Sequence, residues 1–310
     1  MSKNKTFLFI VGLLTSALLL EGGVRVASPL LGPPLVSWNT MEDAKRLKLD
    51  EFREKYQSPD YMFMGNSTTL IGLNPTVFDS KAGLAPGSSF NAAMNGSDIK
   101  TIRDFALSYI IEKVKPKNLV LLFSNTSMIY GPRYEEMKSE KTDLLSKSYL
   151  FRYRNTFRDP MTINTILRVL RNRDTRQGLV YRWADNIDDF GYTKYETTDA
   201  TNLDNGWIPS RSNISGQQSY SIDVSNLKYL IEIRDFAIKN GVNLIIGTVP
   251  LLSQDLKYRG TVREIADKLG IGFIQGNNAV GQGRYFQDGI HLNKAGSRVF
   301  SEYLAETLSK

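Results

Sequence analysis

The chain contains a single histidine, His291, in the run Asp288-Gly-Ile-His291-Leu-Asn. An aspartate three residues before a histidine on a turn can accept a hydrogen bond from Nδ1–H. That contact fixes the tautomer and leaves Nε2 free to take a proton. Imidazole suits the task because its ordinary pKa, about 6.5, lies near neutral pH. The plain alternative is a turn aspartate capping the next helix beside an incidental histidine. A partner for this base is Ser67, in Met64-Gly65-Asn66-Ser67-Thr68-Thr69. It follows the apolar run Tyr61-Met-Phe-Met64, which reads as a short buried strand entering a turn. A serine at such a strand end is presented at the reactive edge of an α/β sheet. The plain alternative is a tight turn with a helix cap.

Two further stretches carry donors that could stabilise an oxyanion. Residues 90–97 read Phe-Asn-Ala-Ala-Met-Asn-Gly96-Ser97 and stand just before a helix. Residues 121–127 read Leu-Leu-Phe-Ser-Asn125-Thr-Ser and end a buried run. The backbone N–H groups of Ser67 and Gly96 and the Asn125 side-chain amide are the donor types such a hole requires. A helix-start glycine and a strand-end turn are the bland equivalents.

Composition narrows the chemistry. The 310 residues include no cysteine, which removes disulfides, thiolate metal sites and Cys nucleophiles. One histidine excludes a multi-histidine metal centre within this chain. A Gly-x-x-x-x-Gly-Lys loop and a dense carboxylate cluster at strand ends are both missing, which speaks against phosphoryl chemistry. No cofactor or metal is expected. The net charge of +7 fits either solubility or an anionic partner, but no basic block interleaved with aromatics points to nucleic acid.

The elements that must hold these residues alternate. Met41–Tyr56 is charged and reads as helical. Residues 97–115 begin with Ser-Asp and space Ile99, Ile102, Phe105, Ala106, Tyr109 and Ile110 as an amphipathic helix, stopped by Pro116. Leu119–Phe123 is a continuous apolar run, as in a central parallel strand. The pattern repeats as a helix over 224–240, a strand over 243–249, a helix over 253–269, a short strand at 272–276 and a closing helix over 294–308. This order predicts a parallel sheet with helices on both faces. Residues 130–222 interrupt it with eight arginines between Arg152 and Arg182, and read as an insertion, either a lid or substrate groove or a solvated excursion.

At the N-terminus, Lys3 and Lys5 precede the apolar run Phe7–Leu20. This is the pattern of a signal peptide or signal anchor. As a helix, the run would span roughly 21 Å, short of a bilayer core of about 30 Å. Extension to Ala27 gives the length and takes in Glu21 and Arg25, four apart and able to pair. No A-x-A cleavage site follows, so residues 1–27 read as an uncleaved anchor, with the lysines cytoplasmic and the rest outside. Cleavage would instead give a secreted protein. Residues 28–40 hold three prolines and read as a stiff tether, leaving 41–310 as the α/β domain.

In these residues the sequence resembles the SGNH/GDSL hydrolase superfamily. The likeness lies in four blocks in chain order: Gly65-Asn66-Ser67, Asn91 with Gly96 five residues on, Phe123-Ser124-Asn125-Thr126, and Asp288 with His291. It covers roughly 60–305 without the insertion. Asn66 stands where the family usually has Asp, and Phe123 and Thr126 where it has Gly and Asp. The resemblance implies a three-layer flavodoxin-like sheet. It also implies a serine esterase or O-acyltransferase with Ser67, His291 and Asp288 as the relay and Ser67, Gly96 and Asn125 as oxyanion donors. The anchor followed by this block order also looks like membrane-anchored envelope members, some of which assist O-acetylation of exported polysaccharides. Under that likeness Arg152, Arg154 and Arg158 are candidates to hold an anionic glycan, and envelope assembly partners are expected. The alternative is a catalytically silent binding or scaffold protein of an envelope polysaccharide system.

Overall fold

A computed structural model describes residues 3–31, 40–124, 184–193, 224–251, 256–276, 279–280, 283–288 and 290–309. The chain divides into two compact units, residues 1–44 with 136–185, and residues 45–135 with 186–310.

In the first unit, helix α1 runs Lys3–Leu31. Its segment Lys5–Ala27, 23 residues, is long and apolar enough to cross a membrane. At 1.5 Å per residue it spans about 35 Å, against a bilayer core of about 30 Å. Glu21 and Arg25 pair on it at 3.0 Å, as their spacing predicts. The helix extends four residues into the stretch read as a tether. Pro29 lies in its last turn, where one missing N–H breaks only a terminal bond. Residues 32–39 lie outside the described residues.

The second unit is built on five parallel strands: β1 (Tyr61–Gly65), β2 (Ser89–Asn91), β3 (Asn118–Phe123), β4 (Asn243–Thr248) and β5 (Gly272–Ile274). Their order is β2-β1-β3-β4-β5, and every adjacent pair is parallel. This is the flavodoxin-like order, with its switch point between β1 and β3. The chain leaves β1 toward one edge and β3 toward the other, so a crevice opens above those two carboxyl ends. The central strands are apolar between their ends because both faces are covered.

One face carries α3 (Ser67–Gly72), α4 (Pro75–Lys81) and α8 (Lys294–Leu308). Phe78 and Phe300 from these helices join Phe63, Val120 and Leu122 in one buried cluster. Alternation along the strands turns Met62, Met64, Leu119 and Leu121, also buried, toward the opposite face. There α5 (Ile99–Phe105) packs on α6 (Val224–Lys239), with Ile102, Phe105, Leu230 and Ile233 buried. Helix α7 (Leu256–Leu269) lies beside β4 and β5. Helix α2 (Thr40–Tyr56) completes the set.

Two details differ from the sequence reading. The helix expected over 97–115 starts at Ile99 on an Asp98 cap. It then widens into a π-helical stretch, Ala106–Val114, closed by Lys115 in the left-handed region at φ 53°. With i→i+5 bonding Ala106 stacks below both Ile110 and Ile111, and all three are buried. Strand β2 was not expected. Its three residues are too few for a period-2 signal, and pairing with Tyr61–Phe63 of β1 defines it.

Candidate active site

Ser67 is the first residue of α3, immediately beyond the end of β1. The turn between them is dictated by close contacts. A Cβ on Gly65 would lie 2.3 Å from Thr69 Oγ1 and 2.5 Å from the Leu122 carbonyl oxygen. Asn66 caps α3, accepting from Thr68 N–H at 3.1 Å and from the Thr68 hydroxyl at 2.7 Å. Its amide donates to Ser124 Oγ at 2.6 Å, which ties the end of β1 to the end of β3 across the switch point. Asn66 donates in this contact, where an aspartate would instead accept from the Ser124 hydroxyl.

The block holding Asn91 and Gly96 is fastened to the same turn. Asn91 donates its amide toward the carbonyls of Thr69, Leu70 and Leu73, at 3.1, 3.3 and 2.8 Å, and so caps the C-terminal half of α3. Met94 N–H and the Ser97 hydroxyl both donate to Gly65 O, at 3.0 and 2.9 Å. Gly96 follows in the left-handed region, φ +68°, exposed and with open space on its Cβ side. These contacts set the Gly96 loop against the residue two before Ser67.

The third part comes from the far end of the chain. Phe286 and Leu292 form an antiparallel bridge, and Gln287 N–H donates to His291 O at 3.0 Å, closing a short loop. Asp288 Oδ1 accepts from the backbone N–H of Ile290 and His291, at 2.8 and 2.7 Å. Its Oδ2 lies 2.8 Å from His291 Nδ1. Burial pushes the Asp288 pKa up, but the hydrogen bonds from the imidazole and those two N–H groups outweigh it. The carboxyl is held below its ordinary value. Asn293 then caps α8, accepting from Gly296 N–H at 2.9 Å and donating to Arg284 O at 2.7 Å.

The two halves meet across 224 positions of sequence. His291 Nε2 lies 2.9 Å from Ser67 Oγ. With Asp288 accepting at Nδ1, the Nδ1–H tautomer follows, and the Ser67 hydroxyl donates to Nε2. The contact is braced nearby, since Asn74 N–H, just past α3, donates to Ser301 Oγ of α8 at 2.9 Å. Hydroxyl, imidazole and carboxylate therefore form one hydrogen-bonded line at the switch point of the sheet. Among the described residues no group of His, Cys, Asp or Glu is placed to hold a metal ion.

Ser67, Gly96, Asp288 and His291 are thus brought to one edge of the sheet. Asn125, Arg152, Arg154 and Arg158 lie outside the described residues. The sequence reading gave Asn66 only as a departure and Asn91 only as a spacing marker. Their amide contacts depend on partners in other elements, and nothing local signals them.

An α/β sheet with a serine–imidazole–carboxylate line at its switch point defines the structural class. Three solved structures are similar to this chain, each over 86% of its length. One is a candidate acylhydrolase from Bacteroides fragilis, with 11% identity, 97% of that chain covered and a TM-score of 0.41. Another is a GDSL-like lipase from Bacteroides thetaiotaomicron, with 11% identity, 98% covered and a TM-score of 0.39. The third is a candidate platelet activating factor from Streptococcus pneumonia, with 9% identity, 92% covered and a TM-score of 0.44. One of the three names carries the GDSL label. At such identities and scores it adds nothing to the chemistry of the site, which stands on its own distances. No family model matches the sequence. No curated protein matches it.

Proposed function

We propose that this protein is a serine esterase or O-acyltransferase working through Ser67, His291 and Asp288. The observation that carries this reading is the 2.9 Å contact between Ser67 Oγ and His291 Nε2, with Asp288 on the opposite ring nitrogen at 2.8 Å. Oγ attacks an ester carbonyl carbon while its proton passes to Nε2. The carbonyl electron pair becomes the oxyanion of a tetrahedral intermediate. Asp288 stabilises the imidazolium without taking its proton. Collapse of the intermediate expels the alkoxide, which takes the proton from Nε2, and Ser67 is left acylated. Water or a sugar hydroxyl then gives its proton to Nε2 and attacks the acyl carbon; the second tetrahedral intermediate expels Ser67 Oγ, which takes the proton back from Nε2, and the acid or the new ester is released.

Ser67 N–H belongs to the first turn of α3 and has no acceptor within that helix. Gly96 N–H is the second donor in this proposal and the Asn125 amide the third. Loss of one such donor costs about 2.7–4 kcal/mol in activation free energy. The apolar N-terminal helix supports a membrane-anchored arrangement, with the tether and the catalytic domain on the extracytoplasmic side. An envelope glycan as ester donor or acceptor, held by Arg152, Arg154 and Arg158, is the finer part of the reading. Fluorophosphonate labelling of the purified full chain tests the core of it. Wild type is expected to be modified at Ser67, and Ser67→Ala and His291→Ala to be inert. Unlabelled wild type would remove the esterase reading.

A further inference from the structure

Lys45 of α2 is fully buried, an expensive position for an ammonium group. Its Nζ donates to the carbonyls of Asn91, at 2.6 Å, and Gly191. Burial pulls its pKa down to about 7, opposed by the field of the Asp188 carboxylate. Asn91 is the residue whose amide meets the carbonyls of Thr69 and Leu70 in α3 and of Leu73 just past it. Lys45 therefore reaches the nucleophile's helix through one intermediary.

Gly191 belongs to a hairpin closed by the Ile187–Thr193 bridge, inside the stretch that interrupts the βα order. Asp188 Oδ1 accepts from Phe190 and Tyr192 N–H at 2.9 and 2.8 Å, which fixes the turn. The hairpin is seated against the β2 edge. Asn91 N–H donates to Phe190 O at 2.9 Å, and Phe190 packs on Phe52 and Tyr56 of α2. A Cβ on Gly191, at φ +80°, would lie 2.2 Å from Asn91 O, so the approach admits only glycine. On its other side the Tyr192 hydroxyl lies 3.2 Å from Ser297 Oγ, in the first turn of α8. Ser297 N–H donates to Asn293 O at 2.8 Å, two residues past His291.

One hairpin thus touches the support of Ser67 through Asn91 and the support of His291 through Ser297. We propose that the Ile187–Thr193 hairpin is a clamp that sets the Ser67–His291 separation, with Lys45 and Tyr192 as its positioning residues. Neither side chain contacts the reacting atoms. Both act through backbone that carries those atoms, where a displacement of about 1 Å can cost a hundredfold in rate. The clamp takes its catalytic meaning from the esterase reading, but its geometry is testable without activity.

The lone histidine makes the test direct. Full-length protein labelled with ¹⁵N-histidine in detergent gives one imidazole spin system, His291. Tyr192→Phe and Gly191→Ala are expected to displace its ring ¹⁵N resonances and to slow fluorophosphonate acylation of Ser67 by about tenfold or more. The Tyr192→Phe melting temperature should stay near wild type, and Lys45→Met should show the same signature if it folds. Tyr192→Phe carries the test if it does not. Unchanged ring signals and an unchanged labelling rate in folded Tyr192→Phe and Gly191→Ala overturn the clamp. Wild type that never labels overturns the esterase reading instead, and the ring signals still decide the clamp.

Discussion

The turn that carries Ser67 and the loop that carries His291 supply adjacent atoms but are built differently. The serine turn is sunk in the sheet. Asn66 is 6% exposed, Thr69 is fully buried, and Gly65 has backbone and side chain where a Cβ would go. The histidine loop stands at the surface, with the Asp288 side chain 50% exposed and held by three hydrogen bonds from its own loop. The difference teaches that the Ser67 hydroxyl is placed by the core, whereas the His291 imidazole and the Asp288 carboxylate are placed by local chain geometry. Changes to the buried residues of the first region, such as Gly65, Asn66 and Thr69, therefore cost both stability and activity, and changes in the second cost activity almost alone.

Five variants can break or sharpen that contrast. Ser67→Ala and His291→Ala should each reduce esterase turnover by about 10⁴-fold or more, measured on an activated ester, with near-wild-type melting. Asp288→Asn comes next, at about 10³–10⁴-fold, because an amide that must still accept the backbone N–H bonds turns its NH₂ toward Nδ1 and favours the wrong tautomer. In the wild type Asp288 stays ionised to lower pH than an ordinary carboxyl, since its pKa is depressed in the fold. Its contribution to stability is present above the unfolded carboxyl pKa and is lost only as pH falls through the lower folded value. Gly65→Ala tests the buried side. It should cost about 1–3 kcal/mol in denaturant unfolding and lower turnover as well. If it leaves stability unchanged, the serine turn is not core-determined.

The smallest effect on activity lies at the opposite end of β2. Asp79 is buried and accepts from Gly87 and Ser88 N–H, while its Oδ1 has no hydrogen-bond partner among the described residues. Burial raises its pKa to about 6, against the pull of its hydrogen bonds. The folded value lies above the unfolded one, so this contribution is complete below about pH 4 and is lost as pH rises to about 6. Asp79→Asn should flatten the stability profile across that window, by at most about 3 kcal/mol. Activity at a fixed pH should hardly change, because Asp79 touches neither region of the site.

Much of the site was legible because its signals are local. The Asp288–His291 pair declares itself by spacing, since an aspartate three residues back on a turn reaches both backbone N–H groups and the near ring nitrogen. The strand ahead of Ser67 declares itself as an apolar run. Other features were illegible for an equally physical reason. Lys45 is one lysine among several in a charged helix, and only the packing of β2 and the 187–193 hairpin over it reveals its burial. Asn91 reads as a spacing mark until its amide meets the carbonyls of Thr69, Leu70 and Leu73. The π-helical turn buries both Ile110 and Ile111, and the apolar pattern of 97–115 does not distinguish it from an ordinary helix.

By itself the sequence determined the composition of the chemistry: one imidazole, no thiol, a serine behind a buried strand, and a parallel α/β order with an apolar N-terminal helix. Those follow from residue type and short-range periodicity. Only the tertiary structure decided that Ser67 and His291 face each other, because that distance depends on strand order and helix packing between residues 224 positions apart. No local rule carries such a length. It is set where β1 pairs with β3 and where α8 closes over α3.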